Sequence, residues 1–463
     1  MIVRDEEDLL ADCLASTRGV VQDMVVVDTG SSDATKQIAT SAGARVFDFP
    51  WGDDFSAARN ESIRHATGDW LLVLDADERL ASVKAERLQS IFLQHSFDCG
   101  LVRLHDAMSL DSKEVDVLCG RSRHGEVQLL PRLLRRTDDL KYVGAIHEDL
   151  TPWVRKNDRT LHGVDIDVVH FGSVQQVIDR KRKRERNLRL LRAEIGRRPE
   201  DLATWGYLAH ELLRMGANED AQRAANDGWR QVPSFSSGIS LPIHRLATAR
   251  AYLAICAGRY PEARATIRVA RKFEPDNPDL TYLEAQAFEA EAQRTSDHGT
   301  MVRLLRSARD GYRACLRFGA TTYSQSFVQG ASSWTGFTRL GAVELLLGRP
   351  AKALQAFDAA LCTRPDELEA RLGSAEARIE LGDPAGALRS MDGLFDDVSP
   401  DAWAVAALAV MSLGKSNDAR LFARRARRLS DRPFLAPHRE TRMRDILRRD
   451  PLSSTESPLT AGS

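Results

Sequence analysis

The chain has 463 residues, too many for one ordinary domain, which points to two or three. Lys plus Arg (65) nearly cancels Asp plus Glu (66), and the net charge of -1 excludes nucleic acid as the main partner, since phosphate neutralisation needs a concentrated positive surface. With 43% apolar residues global disorder is excluded, and the longest apolar run, residues 402–411, is about half a bilayer span, so no membrane span is expected. No charged region followed by an apolar stretch opens the chain, so no signal peptide is expected. Cys13, Cys99, Cys119, Cys256, Cys315 and Cys362 are scattered without a CxxC, which points to reduced thiols, a cytoplasmic setting and no structural zinc.

In chain order, short apolar β-branched runs read as strands at 24–27, 45–49, 70–74, 101–104, 127–134 and 166–171, with helix-compatible stretches at 34–42 and 56–66. Alternating strand and helix implies crossovers and a mostly parallel sheet covered on both faces. The runs MVVV and WLLVL fit strands buried on both faces, because both are short and end in Asp-containing turns.

After about residue 179 the strand signal disappears. A Gly followed five residues later by an Ala recurs at Gly216/Ala221, Gly258/Ala263, Gly348/Ala353, Gly382/Ala387 and Gly414/Ala419, and Pro350 and Pro384 share the 34-residue offset of Gly348 and Gly382. Pro199, Pro233, Pro275, Pro365 and Pro400 fall where one helix pair would hand over to the next. A 34-residue helix-turn-helix with a small residue where two helices touch is the tetratricopeptide signature. Five repeats are expected, with a sixth distorted by an insertion around 294–300. The junction DRKRKRERNLRLLR, 179–192, is the most basic stretch; it reads either as a solvated helix face or as positive charge closing over an anionic substrate.

Three segments of the first half carry chemistry. In MVVVDTGSSDAT a strand ends in Asp28, followed by a small-residue turn that Gly30 suits and by Asp33, placed to cap the next helix. An acid at the carboxyl end of a strand sits where α/β sheets bind ligands, and its partner would be a donor-rich ring or a ribose. In GDWLLVLDADE another strand ends in Asp75 and Asp77, two carboxylates that can share one face of an extended chain and turn oxygens toward one hard cation. In DFSAARN, Arg59 either hydrogen-bonds a diphosphate or pairs with Asp28 or Asp54. No GxGxxG or Walker motif is present, which argues against a kinase, an NTPase or a dinucleotide oxidoreductase.

MIVRDEE, VVVDTGSSDAT, DFSAARN and GDWLLVLDADE, in this order and spacing, resemble the family 2 glycosyltransferases of GT-A fold. The resemblance implies an α/β GT-A domain over 1–178 with a Rossmann-like, mostly parallel sheet. An all-α tetratricopeptide solenoid over 179–430 follows, then a partly disordered tail over 431–463. It implies a nucleoside-diphosphate sugar donor, Mg2+ or Mn2+, and inversion at the anomeric carbon. Carried onto this chain, it makes Glu6 and Asp28 nucleoside contacts and Arg59 a nucleotide contact, and it makes Asp75 and Asp77 the DxD pair, with Asp77 the direct metal ligand. YVGAIHEDL resembles the block found downstream of DxD in repeat-bearing members, which makes Glu148 the first choice of base and Asp149 the second. The alternative is that Glu148 orients an imidazole or pairs with Arg132 or Arg135, while His147 is a core histidine. In VVHFGS, His170 is either the third metal ligand or a hydrogen-bonded core residue.

Members of that family have more strand before the MIVRDEE-like block, so the first strand is expected to be reduced to residues 1–3 or the start to be placed late. It is expected centrally, beside the DxD strand. The activity implied is transfer of a sugar to a peptide or protein acceptor held by the repeats. Bacterial peptide S-glycosyltransferases are similar two-part enzymes, which implies an acceptor thiol or hydroxyl. The competing readings are a glycan acceptor, with the repeats used to form a homodimer, and a repeat scaffold carrying a relic transferase domain.

Overall fold

A computed structural model of the chain describes residues 1–81, 85–94, 96–180, 183–232, 243–319, 326–395, 399–429 and 436–448. The chain divides into two compact units: Met1–Leu253 with Val269–Pro275 and Thr321–Gln329, and Ala254–Arg268 with Asp276–Ala320 and Gly330–Ser463. The first unit therefore runs well past residue 178, taking in the basic junction and the first helix pair.

The first unit opens with three parallel strands, β1 (Ile2–Val3), β2 (Val25–Asp28) and β3 (Arg45–Asp48), hydrogen-bonded in that order. Parallel neighbours need crossovers, and the helices Leu10–Thr17 and Thr35–Ser41 supply them. Val26 and Val27 are buried, as an uninterrupted apolar run requires, and Val26 packs with Val3, Leu10, Leu14 and Ala39.

A second sheet joins β4 (Trp70–Leu72), β5 (Glu78–Leu80), β6 (Cys99–Asp106), β7 (Gln128–Arg135) and β8 (Leu161–His170) in the order β4-β7-β6-β8-β5. Only β6 and β8 run parallel in it; the other three pairings are antiparallel. The α/β expectation holds, with the parallel ladder concentrated in the first sheet. β1 lies at an edge, and no ladder joins it to β4 among the described residues, so its expected central position is not met. The two-residue strand finds its partner in β2, while β4 pairs with β7. β5 had no sequence signal, because Glu78-Arg79-Leu80 offers neither alternation nor an apolar run.

The helices after the junction come in pairs: Leu202–Arg214 with Asn218–Trp229, His244–Cys256 with Tyr260–Ala270, Pro278–Ala292 with His298–Leu316, Trp334–Leu346 with Pro350–Thr363, Leu368–Glu380 with Pro384–Ser390, and Pro400–Ser412 with Ser416–Arg428. The Gly/Ala pattern has a plain cause. Gly216, Gly258, Gly348, Gly382 and Gly414 follow the first helix of their pairs in the left-handed region, at φ between 69° and 83°. Their companions Ala221, Ala263, Ala353, Ala387 and Ala419 are fully buried, because a larger side chain would hold the helices apart. In the second unit Phe357 packs against both Gly341 and Gly373, where any Cβ would collide with its ring. The pair Pro278–Ala292 and His298–Leu316 lacks the glycine turn; Asp297 instead caps the second helix through the Thr300 amide at 2.7 Å, within the expected insertion. Pro350, Pro384 and Pro400 open helices, whereas Pro233 lies outside the described residues.

Part of the expected tail is structured. Pro437–Arg448 is a helix of the second unit, and its buried Arg439 pairs with Glu369, Glu376 and Asp401 at 3.0, 2.8 and 3.0 Å. Residues 449–463 lie outside the described set. Among the described residues no helix is long and apolar enough to cross a membrane, and all six cysteines are free.

Candidate active site

The site is built at the carboxyl ends of β2 and β4, in the first unit. Asp28 is the last residue of β2 and 1% exposed. Its Oδ1 accepts the backbone N–H groups of Gly30 and Ser31 at 3.0 and 2.9 Å, so the turn that follows is tied to it. Its Oδ2 is buried and has no hydrogen-bond partner. A buried carboxylate oxygen with no partner is costly unless a ligand donor reaches it, and that supports the donor-ring expectation. The loop holding Glu6 is laced to the same turn. Asp5 accepts the Ser32 amide at 2.8 Å, the Glu7 carboxylate accepts that of Ala34 at 3.0 Å, and the Glu6 amide donates to Thr35 Oγ1 at 2.7 Å. Asp33 accepts the amides of Glu7 and Thr35, at the start of the helix it was expected to cap.

Arg59 sits on the helix Phe55–His65, which Asp54 caps through the Ala57 amide at 2.9 Å. The guanidinium is buried and pairs with neither Asp28 nor Asp54. Its Nη2 donates to Asp75 Oδ1 at 2.9 Å and to Glu148 Oε1 at 2.8 Å, while Nη1 is buried without a partner. Burial alone would lower its pKa, but Asp75 and Glu148 hold it well above the ordinary arginine value. The same helix grips the YVGAIHEDL loop: Asn60 exchanges two hydrogen bonds with the Tyr142 backbone, and the Phe55 amide donates to the Ala145 carbonyl at 2.9 Å.

Asp75 and Asp77 part company. Asp75 Oδ1 is held by Arg59 and its Oδ2 by Arg132 on β7 at 3.1 Å. Burial opposes ionisation, yet the two guanidinium groups keep Asp75 well below the usual carboxylate range. Both Asp75 oxygens are thus engaged by guanidinium groups, whereas those of Asp77 face His170 and Lys183. Arg132 also pairs with the buried Glu78, whose carboxylate accepts the Asp75 amide at 3.0 Å. Burial is the main reason that Glu78 has a raised pKa.

Asp77 faces His170, Nε2 to Oδ1 at 3.7 Å, and Lys183 Nζ donates to Asp77 Oδ2 at 3.0 Å. His170 ends β8 beside Asp106, which ends β6, and its Nδ1 lies 2.6 Å from Asp106 Oδ1. Burial lowers the His170 pKa, but the Asp106 hydrogen bond and the Asp77 charge outweigh it and push the group up to about 9. Gly172 closes this corner, since a Cβ there would overlap Asp77 Oδ2 and His170 Nε2. Among the described residues no three His, Cys, Asp or Glu side chains gather closely enough to form a metal cluster. Asp77 and a deprotonated His170 fit as two donors of a divalent cation completed by a ligand's own oxygens, once the Lys183 ammonium gives way.

Glu148 keeps its Oε1 on Arg59; no hydrogen bond engages Oε2 among the described residues, and the side chain is 17% exposed. It pairs with neither Arg132 nor Arg135. Asp149 is exposed and accepts the Thr151 amide at 2.9 Å and the Thr151 hydroxyl at 2.7 Å, at the head of the helix Thr151–Lys156. That is a capping role. His147 stands at φ 54°, stacked on Tyr207 at 3.7 Å between centroids, and its Nε2 is buried without a partner. Burial first, then the Arg245 and Arg214 charges, push it down to about 3.

This last shift carries a prediction. A histidine kept neutral in the fold, with an ordinary pKa of 6.5 when unfolded, contributes stability that is complete above 6.5 and lost as pH falls toward 3. Resistance to urea is expected to fall as pH drops from about 7 to about 5, and His147→Phe, which keeps the stack without a charge, should flatten that slope. An unchanged slope in the variant would assign the loss to other groups.

Glu78, Arg132, Asp106 and Lys183 are the site residues that sequence reasoning missed. Glu78 lay inside the quoted DADE block and Lys183 inside the basic junction, so those two had a signal. Arg132 enters the sequence reading only as a partner of Glu148, and Asp106 has no signal, because both join the site through strand pairing. The cavity lined by Met1, Leu14, Val25, Trp70, Leu72 and Phe92, of about 230 Å³, lies toward the amino-terminal ends of β2 and β4 and contains none of the candidate residues.

Residues 1–132 match the family described as glycosyl transferase family 2, and residues 344–409 match a tetratricopeptide repeat. The chain carries a family 2 glycosyltransferase domain followed by tetratricopeptide repeats. It is 34% identical over 242 residues to a TPR repeat-containing protein of Synechococcus elongatus, covering 50% of this chain and 56% of that one. It is 31% identical over 98 residues to an uncharacterized glycosyltransferase of Rickettsia typhi, covering 21% and 33%. More distant is the SPbeta prophage-derived glycosyltransferase SunS of Bacillus subtilis, 24% identical over 233 residues, covering 48% and 50%. The chain thus spans between about a third and somewhat over half of the length of these relatives.

Proposed function

We propose that this protein is an inverting, metal-assisted glycosyltransferase that moves a sugar from a nucleoside diphosphate to a peptide or protein acceptor. The observation that carries the reading is Asp28: a buried carboxylate oxygen with no partner, at the end of β2, in a domain of family 2. Asp28 accepts an N–H or hydroxyl of the nucleoside, and Glu6 flanks it on the laced loop. Arg186, near enough to feel the charges of both Glu6 and Asp77, would offer its buried Nε–H to a phosphate oxygen of the donor. Asp77 and His170 would hold Mg2+ or Mn2+, which when bound neutralises charge developing on the diphosphate.

Arg59 holds Glu148 Oε1, which leaves Oε2 to take a proton from the acceptor as its oxygen or sulfur attacks the anomeric carbon. Arg59 and Arg132 between them neutralise Asp75, whose role becomes that of a fixed strut between the helix Phe55–His65 and β7. Tetratricopeptide repeats suit extended peptide or protein partners, and resemblance to peptide S-glycosyltransferases favours an acceptor thiol or hydroxyl. The free cysteines accord with a cytoplasmic setting.

One observation favours a repeat scaffold with a relic domain: the acidic edge is neutralised from within by Arg59, Arg132 and Lys183. Purified protein incubated with a panel of nucleotide sugars and Mn2+ separates the two. Slow release of free sugar, lost in Asp77→Ala, is expected of the enzyme; no release from any donor would leave the scaffold.

A further inference from the structure

The divalent-cation edge at Asp77 is already occupied by a charge from the chain itself. Lys183 opens the helix Lys183–Arg197, in the basic junction, and its Nζ donates both to Asp77 Oδ2 at 3.0 Å and to the Gly172 carbonyl at 3.2 Å. The Asp77 side chain is 9% exposed and Lys183 23%, so the pair is shielded from solvent. Asp77 cannot satisfy an ammonium and a divalent ion together, because Asp106 is held on the far nitrogen of His170 and the two cations would share the one carboxylate between them. A diphosphate changes that balance by bringing anionic oxygens that can take the lysine.

The same helix carries a second group in waiting. Arg186, three residues on and therefore on the same helix face, has its Nε buried without a hydrogen-bond partner and lies over the Phe55 ring at 5.0 Å. Nη2 donates to Asn187 Oδ1 at 3.3 Å, so the buried Nε–H is the donor left for a phosphate oxygen. Arg189, three residues further, pairs with Asp53 and so fastens the helix to the loop that precedes Asp54.

We propose that Lys183 is a tethered cation that takes the divalent ion's place at Asp77 until the donor arrives and then passes to the donor's diphosphate, beside Arg186. This rests on the proposed metal edge at Asp77 and His170. Binding of the metal is then conditional on a diphosphate, and the junction helix, which leads into the repeats, registers donor occupancy.

The test is Mn2+ binding by calorimetry to the full chain, with and without inorganic pyrophosphate. The native protein is expected to bind Mn2+ weakly alone and far more tightly with pyrophosphate. Lys183→Met should bind Mn2+ alone roughly tenfold more tightly, as expected when a desolvated competing cation is removed, and should gain less from pyrophosphate. Lys183→Arg, which keeps the charge, should stay close to native, and a native unfolding midpoint in both variants excludes misfolding as the cause. If Lys183→Met binds Mn2+ no more tightly while Asp77→Asn loses it, the tethered cation is wrong and the metal edge stands. If Asp77→Asn changes nothing, both fall.

Discussion

Replacing Arg59 with methionine is expected to cost about 3–5 kcal/mol of folding free energy, the usual penalty for removing one partner of a buried ion pair. The expectation follows from where Nη2 lies, 2.9 Å from Asp75 and 2.8 Å from Glu148, in a side chain only 5% exposed. Methionine fills much of the volume but leaves Glu148 without its guanidinium and Asp75 with Arg132 alone. Urea unfolding reads the loss as a lower midpoint at constant slope. Arg59→Lys should recover only part of it, because an ammonium cannot present the planar fork that spans both carboxylates. A midpoint within error of the native protein would show that the two acids repartner, and the bridge would then not be what holds the YVGAIHEDL loop. Sugar transfer should fail in the methionine variant even under conditions where it stays folded, since Glu148 loses its orientation.

The second large effect separates two neighbouring acids. Glu148→Gln is expected to lower turnover by roughly 10²–10⁴-fold with little change in donor affinity, as for loss of a general base. Asp149→Asn should leave turnover within a few fold and cost at most about 1 kcal/mol of stability, because its work is to cap a helix and asparagine caps nearly as well. Turnover measured against free peptide acceptors, after the donor panel has identified the sugar nucleotide, reads both. A collapse of turnover in Asp149→Asn with native activity in Glu148→Gln would reverse the assignment.

Sequence and structure agree most closely where the signal is local. The repeat grammar survives almost unchanged: the glycines turn left-handed after a helix, and the alanines five residues later vanish into helix contacts. Asp28 and its turn were also readable, because a β-branched run ending in Asp-Thr-Gly-Ser states both the strand and its capping chemistry within a dozen residues. The boundary at 178 was less secure. A change of composition marks where strands stop, yet the first compact unit continues to Leu253 before the second begins. His147, whose ring stacks on Tyr207, shows why: packing does not stop where secondary structure changes kind.

The DADE motif shows the other side. Its four residues predicted a pair of carboxylates on one cation, and spacing gave no reason to doubt it. The tertiary structure adds partners that spacing could not show: Arg59 and Arg132 on Asp75, His170 and Lys183 on Asp77. Those partners come from 16, 57, 93 and 106 residues away along the chain, on a helix, two strands and the junction. Residue type and local period determined by themselves that this chain has an α/β half bearing acids at strand ends and a helical half of paired repeats. Which acid pairs with which base was decided only by the fold. Charge pairing depends on distances of a few ångströms, and only the fold sets those distances between residues remote along the chain.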